Sequence, residues 1–220
     1  PLSAIVNFAR GAMRRVRSDN FDNQTMLEVL EQISLQAERA GEIIRRLRNL
    51  VARQPPVRSS VEINDMVREV CSFVEYDMRK LGIEIHLDLS PEALPVRVDL
   101  VQIEQVLLNL VRNAMDALER VPEQRVLSIH TSAWGEDSVR VTISDTGPGI
   151  PESDMRHLFE PFFSTKASGM GMGLAISKTI IEDHGGHIAA ESIPGGGSQF
   201  TLLLPTYMYE TNSEQASGVC

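Results

Sequence analysis

Apolar residues recur through the first fifty positions at the alternating three- and four-residue steps of a helix seam. Leu2, Ile5, Ala9, Ala12 and Val16 form one row; Met26, Leu30, Ile33, Ala37, Ala40, Ile44, Leu47 and Val51 form a second. Seams this regular bury themselves against other helices. SDNFDNQ at 18–24 supplies turn and capping residues between the two rows. Two helices enclose little core, so the spacing predicts a helical hairpin that dimerises into a four-helix bundle; packing of the hairpin on the rest of the chain is the alternative. Gln54-Pro55-Pro56 ends the second helix, because proline lacks an amide proton and disfavours helix just before it.

Beyond that point the periodicity is mixed. Asn64 is expected to cap a helix with Val67, Val70, Cys71 and Val74 on one face, stopped near Gly82. Ile83, Ile85, Leu87 and Leu89 alternate as a strand, Pro95–Val98 reads as a shorter one, and Asp99 is placed to cap a helix over 100–118. Residues 125–133 and 138–145 form a hairpin about Gly135; a helix over 173–184 and strands near 187–193 and 198–204 follow. The pattern predicts an α+β chain: a dimerisation hairpin over 1–54, a linker over 55–60, a two-layer α/β sandwich over 61–205 and a disordered polar tail over 206–220.

Charge sharpens the division. Residues 1–60 carry ten Lys/Arg against six Asp/Glu, a balance of +4, while residues 61–220 carry eleven against twenty-four, or −13. A basic module thus precedes an acidic one, and the acidic one would repel phosphate backbones, which argues against direct nucleic-acid binding. Cys71 and Cys220 suggest no disulfide framework. No apolar run reaches membrane-spanning length and no signal peptide opens the chain, so a cytoplasmic location without membrane contact is expected, with any anchor lying upstream.

Candidate chemistry gathers in SDTGPGIPESDMRHLFEPFFSTKASGMGMGLAIS, residues 144–177. Gly147 and Gly149 follow a strand of alternating Val139, Val141 and Ile143 that closes on Asp145; Gly169, Gly171 and Gly173 run into a helix. Glycines at alternate positions let a backbone approach a ligand, and a helix start adds its positive end, so the second cluster suits a phosphate chain. The Asp145 carboxylate suits an exocyclic amine such as adenine's. Neither Walker pattern is present, so the nucleotide site belongs to another fold. On the helix 100–118, Asn109, Asn113 and Asp116 repeat as a stripe beside the apolar face of Ile103, Val106, Leu107, Leu110, Ala114 and Ala117. Asparagine is a modest helix former, so two in one stripe read as oxygen ligands for a hard cation such as Mg²⁺, Asn113 first and Asn109 in support; for Asp116 a solvated face is sufficient.

NLVRNAMDAL (109–118), DTGPGI (145–150), LFEPFF (158–163), GMGMGLAIS (169–177) and GGGSQFTLLLP (195–205) resemble, in order, the N, G1, F, G2 and final glycine boxes of bacterial sensor histidine kinases, in the short-lid subclass of nitrogen-regulation and oxygen-sensing kinases. The resemblance implies the Bergerat-type ATP-binding fold with a lid between the F and G2 boxes. It assigns Asn109 and Asn113 to Mg²⁺–ATP, Asp145 to the adenine amine, and Gly147 and Gly149 to the adenine pocket. Gly169, Gly171 and Gly173 would frame the phosphates, with Met172 and Leu174 also among the nucleotide-binding residues. Lys166 is either a mobile charge for a phosphate or a solvated loop lysine. Phe159, Phe162 and Phe163 read as core and lid anchors.

PLSAI resembles the end of the H box, which would put the phospho-accepting histidine upstream of Pro1; the five histidines present read as structural. The implied reaction is attack of that imidazole on the γ-phosphate, then passage of the phosphoryl group to an aspartate of a response-regulator receiver domain. Homodimerisation through 1–54, an upstream sensor domain, and docking of the acidic receiver on Arg10, Arg14, Arg15 and Arg17 complete the expected partners. Related ATPases and anti-sigma serine kinases of this fold carry a glutamate base where Asn109 stands, and an amide cannot take a proton. A catalytically silent nucleotide-binding dimer scaffold is the remaining alternative.

Overall fold

The computed structural model describes residues 2–17, 24–34, 36–37, 57–92, 94–122, 124–166 and 171–206. The chain divides into two units, Pro1–Pro55 and Pro56–Cys220. In the first, α1 (Leu2–Arg17) and α2 (24–34) are helical. Ile5, Ala9 and Ala12 of the α1 seam are half-buried, while Val16 is exposed. In α2 the half-buried positions include Met26, Val29 and Ile33, whereas Leu30 of the expected seam is 53% exposed. The remainder of the expected second helix, 38–53, and the tail beyond 206 lie outside the described residues. Among the described residues no helix is long and apolar enough to cross a membrane.

The second unit is a two-layer sandwich. Its elements run β1 (Ser59–Glu62), α3 (Ile63–Leu81), β2 (Glu84–Asp88), β3 (Pro95–Val98), α4 (Leu100–Leu118), β4 (Val126–Trp134), β5 (Ser138–Asp145), α5 (Glu152–Met155), α6 (Gly173–Asp183), β6 (His187–Ser192) and β7 (Ser198–Pro205). Five strands form a mixed sheet in the order β2-β4-β5-β7-β6, parallel only between β2 and β4. β1 and β3 make a separate antiparallel pair. Strict alternation in β5 and β7 sends Val139, Val141, Ile143, Phe200, Leu202 and Leu204 inward. They meet the apolar stripes of α3 and α4, among them Met66, Val70, Ile103, Leu107 and Leu110, in one core.

Two expected signals hold and one is displaced. Asp99 caps α4 by accepting from the Gln102 amide at 3.2 Å, and Gly82 ends α3 in the left-handed region at φ 66°. Asn64 does not cap α3; the cap position is Glu62, which makes no side-chain cap bond. The Asn64 amide is drawn inward instead, donating to the Ser90 carbonyl at 2.9 Å and accepting from the buried Thr131 hydroxyl at 2.7 Å. A buried amide needs both its functions satisfied, and this three-way link provides them.

Candidate nucleotide site

The inward phase of β5 continues one step past Ile143, so a carboxylate stands where a core residue is due. Asp145 is 3% exposed, and both of its oxygens are engaged. Oδ1 accepts from the Gly147 amide at 2.8 Å and Oδ2 from the Ser198 hydroxyl at 2.5 Å. Ser198 is the cross-strand partner of Asp145, and it lies where the Phe200–Leu202–Leu204 alternation extends inward. Sequence reasoning missed it; the visible signal was its place at the head of that alternation, just after three glycines. Each carboxylate oxygen keeps a further lone pair, so Asp145 can still accept from an amine outside the chain.

The first glycine turn is fitted around this carboxylate. A Cβ on Gly147 would lie 2.6 Å from Asp145 Oδ1 and 3.0 Å from Ala117 Cβ on α4. Gly149 has φ 77°, and a Cβ there would meet Ser192 Oγ at 2.7 Å and the Gly197 carbonyl at 3.0 Å. The G1 turn and the final glycine run therefore enclose the same end of β5.

Farther back along α4 the two asparagines part company. Asn109 Nδ2 donates to the buried Ser177 hydroxyl on α6 at 3.0 Å, and its Oδ1 lies against Gly173, where a Cβ would come within 2.5 Å. Asn109 thus braces α4 against the start of α6, with Ser177 a partner that the sequence did not disclose. Asn113 Oδ1 instead accepts from the Lys166 ammonium at 3.0 Å, and the same ammonium meets Asp116 Oδ2 at 2.5 Å. An amide oxygen turned toward a cation is the donor type that Mg²⁺ selects. Among the described residues no group of three or more His, Cys, Asp or Glu side chains could hold a metal ion, so a metal at Asn113 would draw its other ligands from phosphate and water.

α6 opens at Gly173 after the buried Met172, which as N-cap provides no side-chain acceptor. The first amides of the helix, including that of Leu174, are left without a side-chain cap at its positive end, where an anion is stabilised. Gly171, at φ 66°, is packed against the backbone of Phe162 and Phe163, which joins the second glycine cluster to the Phe-rich segment. Gly169 lies outside the described residues. Phe159 packs on the core as expected, with Leu158 beside it, and the half-buried Phe163 lies 5.8 Å from the His157 ring; Phe162, at φ 70°, is 75% exposed and anchors nothing in the core.

α4 is the spine that joins these parts. Ala117 touches the first glycine turn and Asn109 the second, eight positions apart, which is about 12 Å of helix. Asn113 lies midway. The described histidine contacts are structural: His86, His130 and His157 pair with Glu84, Asp88 and Glu160. Buried His184 donates from Nδ1 to the Ile180 carbonyl at 2.7 Å and accepts at Nε2 from the Asp99 amide at 3.0 Å.

Comparison with known proteins agrees with this geometry. Residues 98–208 match the model of the histidine kinase-, DNA gyrase B- and HSP90-like ATPases. The sensor protein FixL of Bradyrhizobium diazoefficiens is 38% identical over 206 residues, covering 93% of this chain and 41% of FixL. The chain therefore spans about two fifths of that relative's length. The catalytic domain of histidine kinase ThkA superposes with a TM-score of 0.62 at 37% identity, covering 68% of this chain and 95% of that domain. ThkA solved in complex with the response regulator TrrA superposes with a TM-score of 0.75 at 28% identity, covering 92% of this chain and 58% of that one. With its helix of asparagines, its buried Asp145 and its glycine turns in this order, the chain belongs to the histidine kinase-, DNA gyrase B- and HSP90-like ATPase family and carries the ATP-binding domain of a sensor histidine kinase.

Proposed function

We propose that this chain is the kinase core of a sensor histidine kinase. It binds Mg²⁺–ATP along α4, delivers the γ-phosphoryl group to an acceptor histidine of the H-box type, and serves a response-regulator receiver domain as final acceptor. The observation that carries the reading is the single face of α4 that touches the first glycine turn at Ala117, presents Asn113 Oδ1 to a cation and braces the second cluster through Asn109.

Each group has a definite task. Asp145 is preorganised by Gly147 and Ser198, so its remaining lone pairs hold the adenine amine without swinging. The α6 amides at Gly173 and Leu174 orient the phosphate chain, and the glycines at 147, 149, 171 and 173 keep Cβ atoms out of the way. Asn113, with Asn109 setting the adjacent helix, holds the metal, which when bound neutralises charge developing on the phosphate oxygens. Asn109 donates its amide to Ser177 and offers no base for activating water or a serine hydroxyl, which disfavours an ATPase or serine-kinase reading.

The organisation that goes with this activity is a hairpin over 1–54 that pairs with a second copy, joined by a linker to a catalytic domain that runs to 205; the linker expected over 55–60 gives way at Ser59, where β1 pairs with β3. The exposed Val6, Phe8, Met13, Val16, Leu27 and Leu30 support the pairing. The arginines of α1 give an acidic receiver a complementary face, and ThkA's complex with a response regulator supports that partner. Calorimetric titration of the folded chain with a non-hydrolysable ATP analogue and magnesium tests the reading: saturable binding that weakens on chelating the metal is expected, and heat no greater than dilution overturns it.

A further inference from the structure

Asp116 has no part in the roles above, yet it makes the shortest polar contact around Asn113. It stands one turn beyond Asn113 on α4 and takes the Lys166 ammonium at 2.5 Å, while that ammonium donates to Asn113 Oδ1 at 3.0 Å. The contact joins segments fifty residues apart in sequence and is partly shielded, with the Lys166 side chain 29% exposed and that of Asp116 53%. Asn113 Oδ1 is also the oxygen a magnesium ion would take, and two cations gathered on one amide oxygen repel each other.

We propose that Asp116 is a positioning residue that holds the Lys166 ammonium on Asn113 while the site is free of nucleotide. The ammonium occupies the cation position until metal and nucleotide displace it. The proposal rests on the nucleotide reading of the site given above. Its energetic content follows from linkage: an ion pair present only in the empty site stabilises that state, and weakens ligand binding by the same factor. The lysine is then free to meet phosphate oxygens as a point charge on a flexible stem. Asp116, left beside the phosphates, favours the empty site a second time through simple repulsion.

The two effects of Asp116 separate in a double-variant cycle. Affinity for a non-hydrolysable ATP analogue with saturating magnesium is measured in the wild type, Asp116→Asn, Lys166→Gln and the double variant. Asp116→Asn is expected to tighten binding by about twofold to fivefold more when Lys166 is present than in the Lys166→Gln background. Equal tightening in both backgrounds would overturn the proposal, since repulsion alone then accounts for Asp116. Weaker binding of Asp116→Asn in the wild-type background would overturn it as well, because the pair would then persist in the bound state. A wild type that binds no nucleotide overturns the functional reading together with this inference; a wild type that binds, with no coupling between 116 and 166, overturns this inference alone. Matching thermal melts of the four proteins establish that all are folded.

Discussion

Asp145 has both its oxygens engaged inside the fold, at the end of a strand hydrogen-bonded on both sides, whereas Asn113 gives its oxygen to a side chain from a segment far along the chain. The first group is buried at 3% exposure and cannot rotate without breaking bonds to Gly147 and Ser198. The second sits half-buried on a helix surface, and its partner is an ammonium on a four-carbon stem. One end of the site is thus fixed by bonds within the fold, and the other rests on a contact that a flexible side chain can exchange. Recognition of a flat base calls for fixed hydrogen-bond geometry, while a triphosphate and its metal call for charges able to rearrange. The difference between the two ends matches the difference between the two halves of a nucleotide.

The sharpest way to break that contrast is Asp145→Asn. The amide keeps the shape and can still bond Gly147 and Ser198, so the fold should persist, but it loses the negative charge and one of the two acceptor oxygens open to the adenine amine. Binding of the ATP analogue should fall about a hundredfold with little change in melting temperature; affinity within twofold of the wild type would show that the rigid end does not read the base. Asn113→Ala attacks the other end. It should weaken binding about tenfold in magnesium and have little effect when the metal is chelated, because the residue acts through the cation. Loss of affinity under both conditions would place Asn113 on the nucleotide itself.

Ser198→Ala tests how the rigid end is built. Removing the hydroxyl leaves Asp145 Oδ2 buried without a partner, at a cost of about 1–3 kcal/mol in chemical denaturation. A stability unchanged from wild type would mean that water replaces the hydroxyl and that the carboxylate is less fixed than described. The last test lies away from either end, in the core at Cys71, and is read on stability rather than on binding. Burial pushes this thiol from 9.0 up to about 11, so the unfolded chain loses its proton first as pH rises. Stability should therefore decline between pH 9.0 and about 11, a slope that Cys71→Ala removes. Urea midpoints at pH 8 and pH 10.5 for the two proteins measure it.

Much of this architecture was legible because short-range rules determine it. The alternation of Val139, Val141 and Ile143 placed β5 and brought Asp145 to its end; Asp99 and Gly82 marked helix boundaries through capping chemistry. What could not be read was set by partners distant in sequence. β1 is four residues long, SSVE, with no periodicity of its own, and exists because Pro95–Val98 offers it an edge. Asn64 looked like a cap, but Thr131 and the Ser90 carbonyl draw it inward. Ser198 and Ser177 are ordinary serines until the sheet register and the approach of α6 to α4 bring them to Asp145 and Asn109. Phe162 reads as an anchor from its place in the LFEPFF box, and its exposure of 75% shows that it does not serve the core. The resemblance to sensor histidine kinases supplied a site list, but not the separate tasks of its two asparagines.

His184 gives the site a mechanical property of its own. One imidazole rivets the last turn of α6 to the first residue ahead of α4, and the Asn109–Ser177 contact fastens the same two helices nearer the other end of α6. Two fasteners on a pair of rods remove the freedom to shear or splay. A push at the second glycine cluster is then shared between both helices rather than taken up by α6 alone.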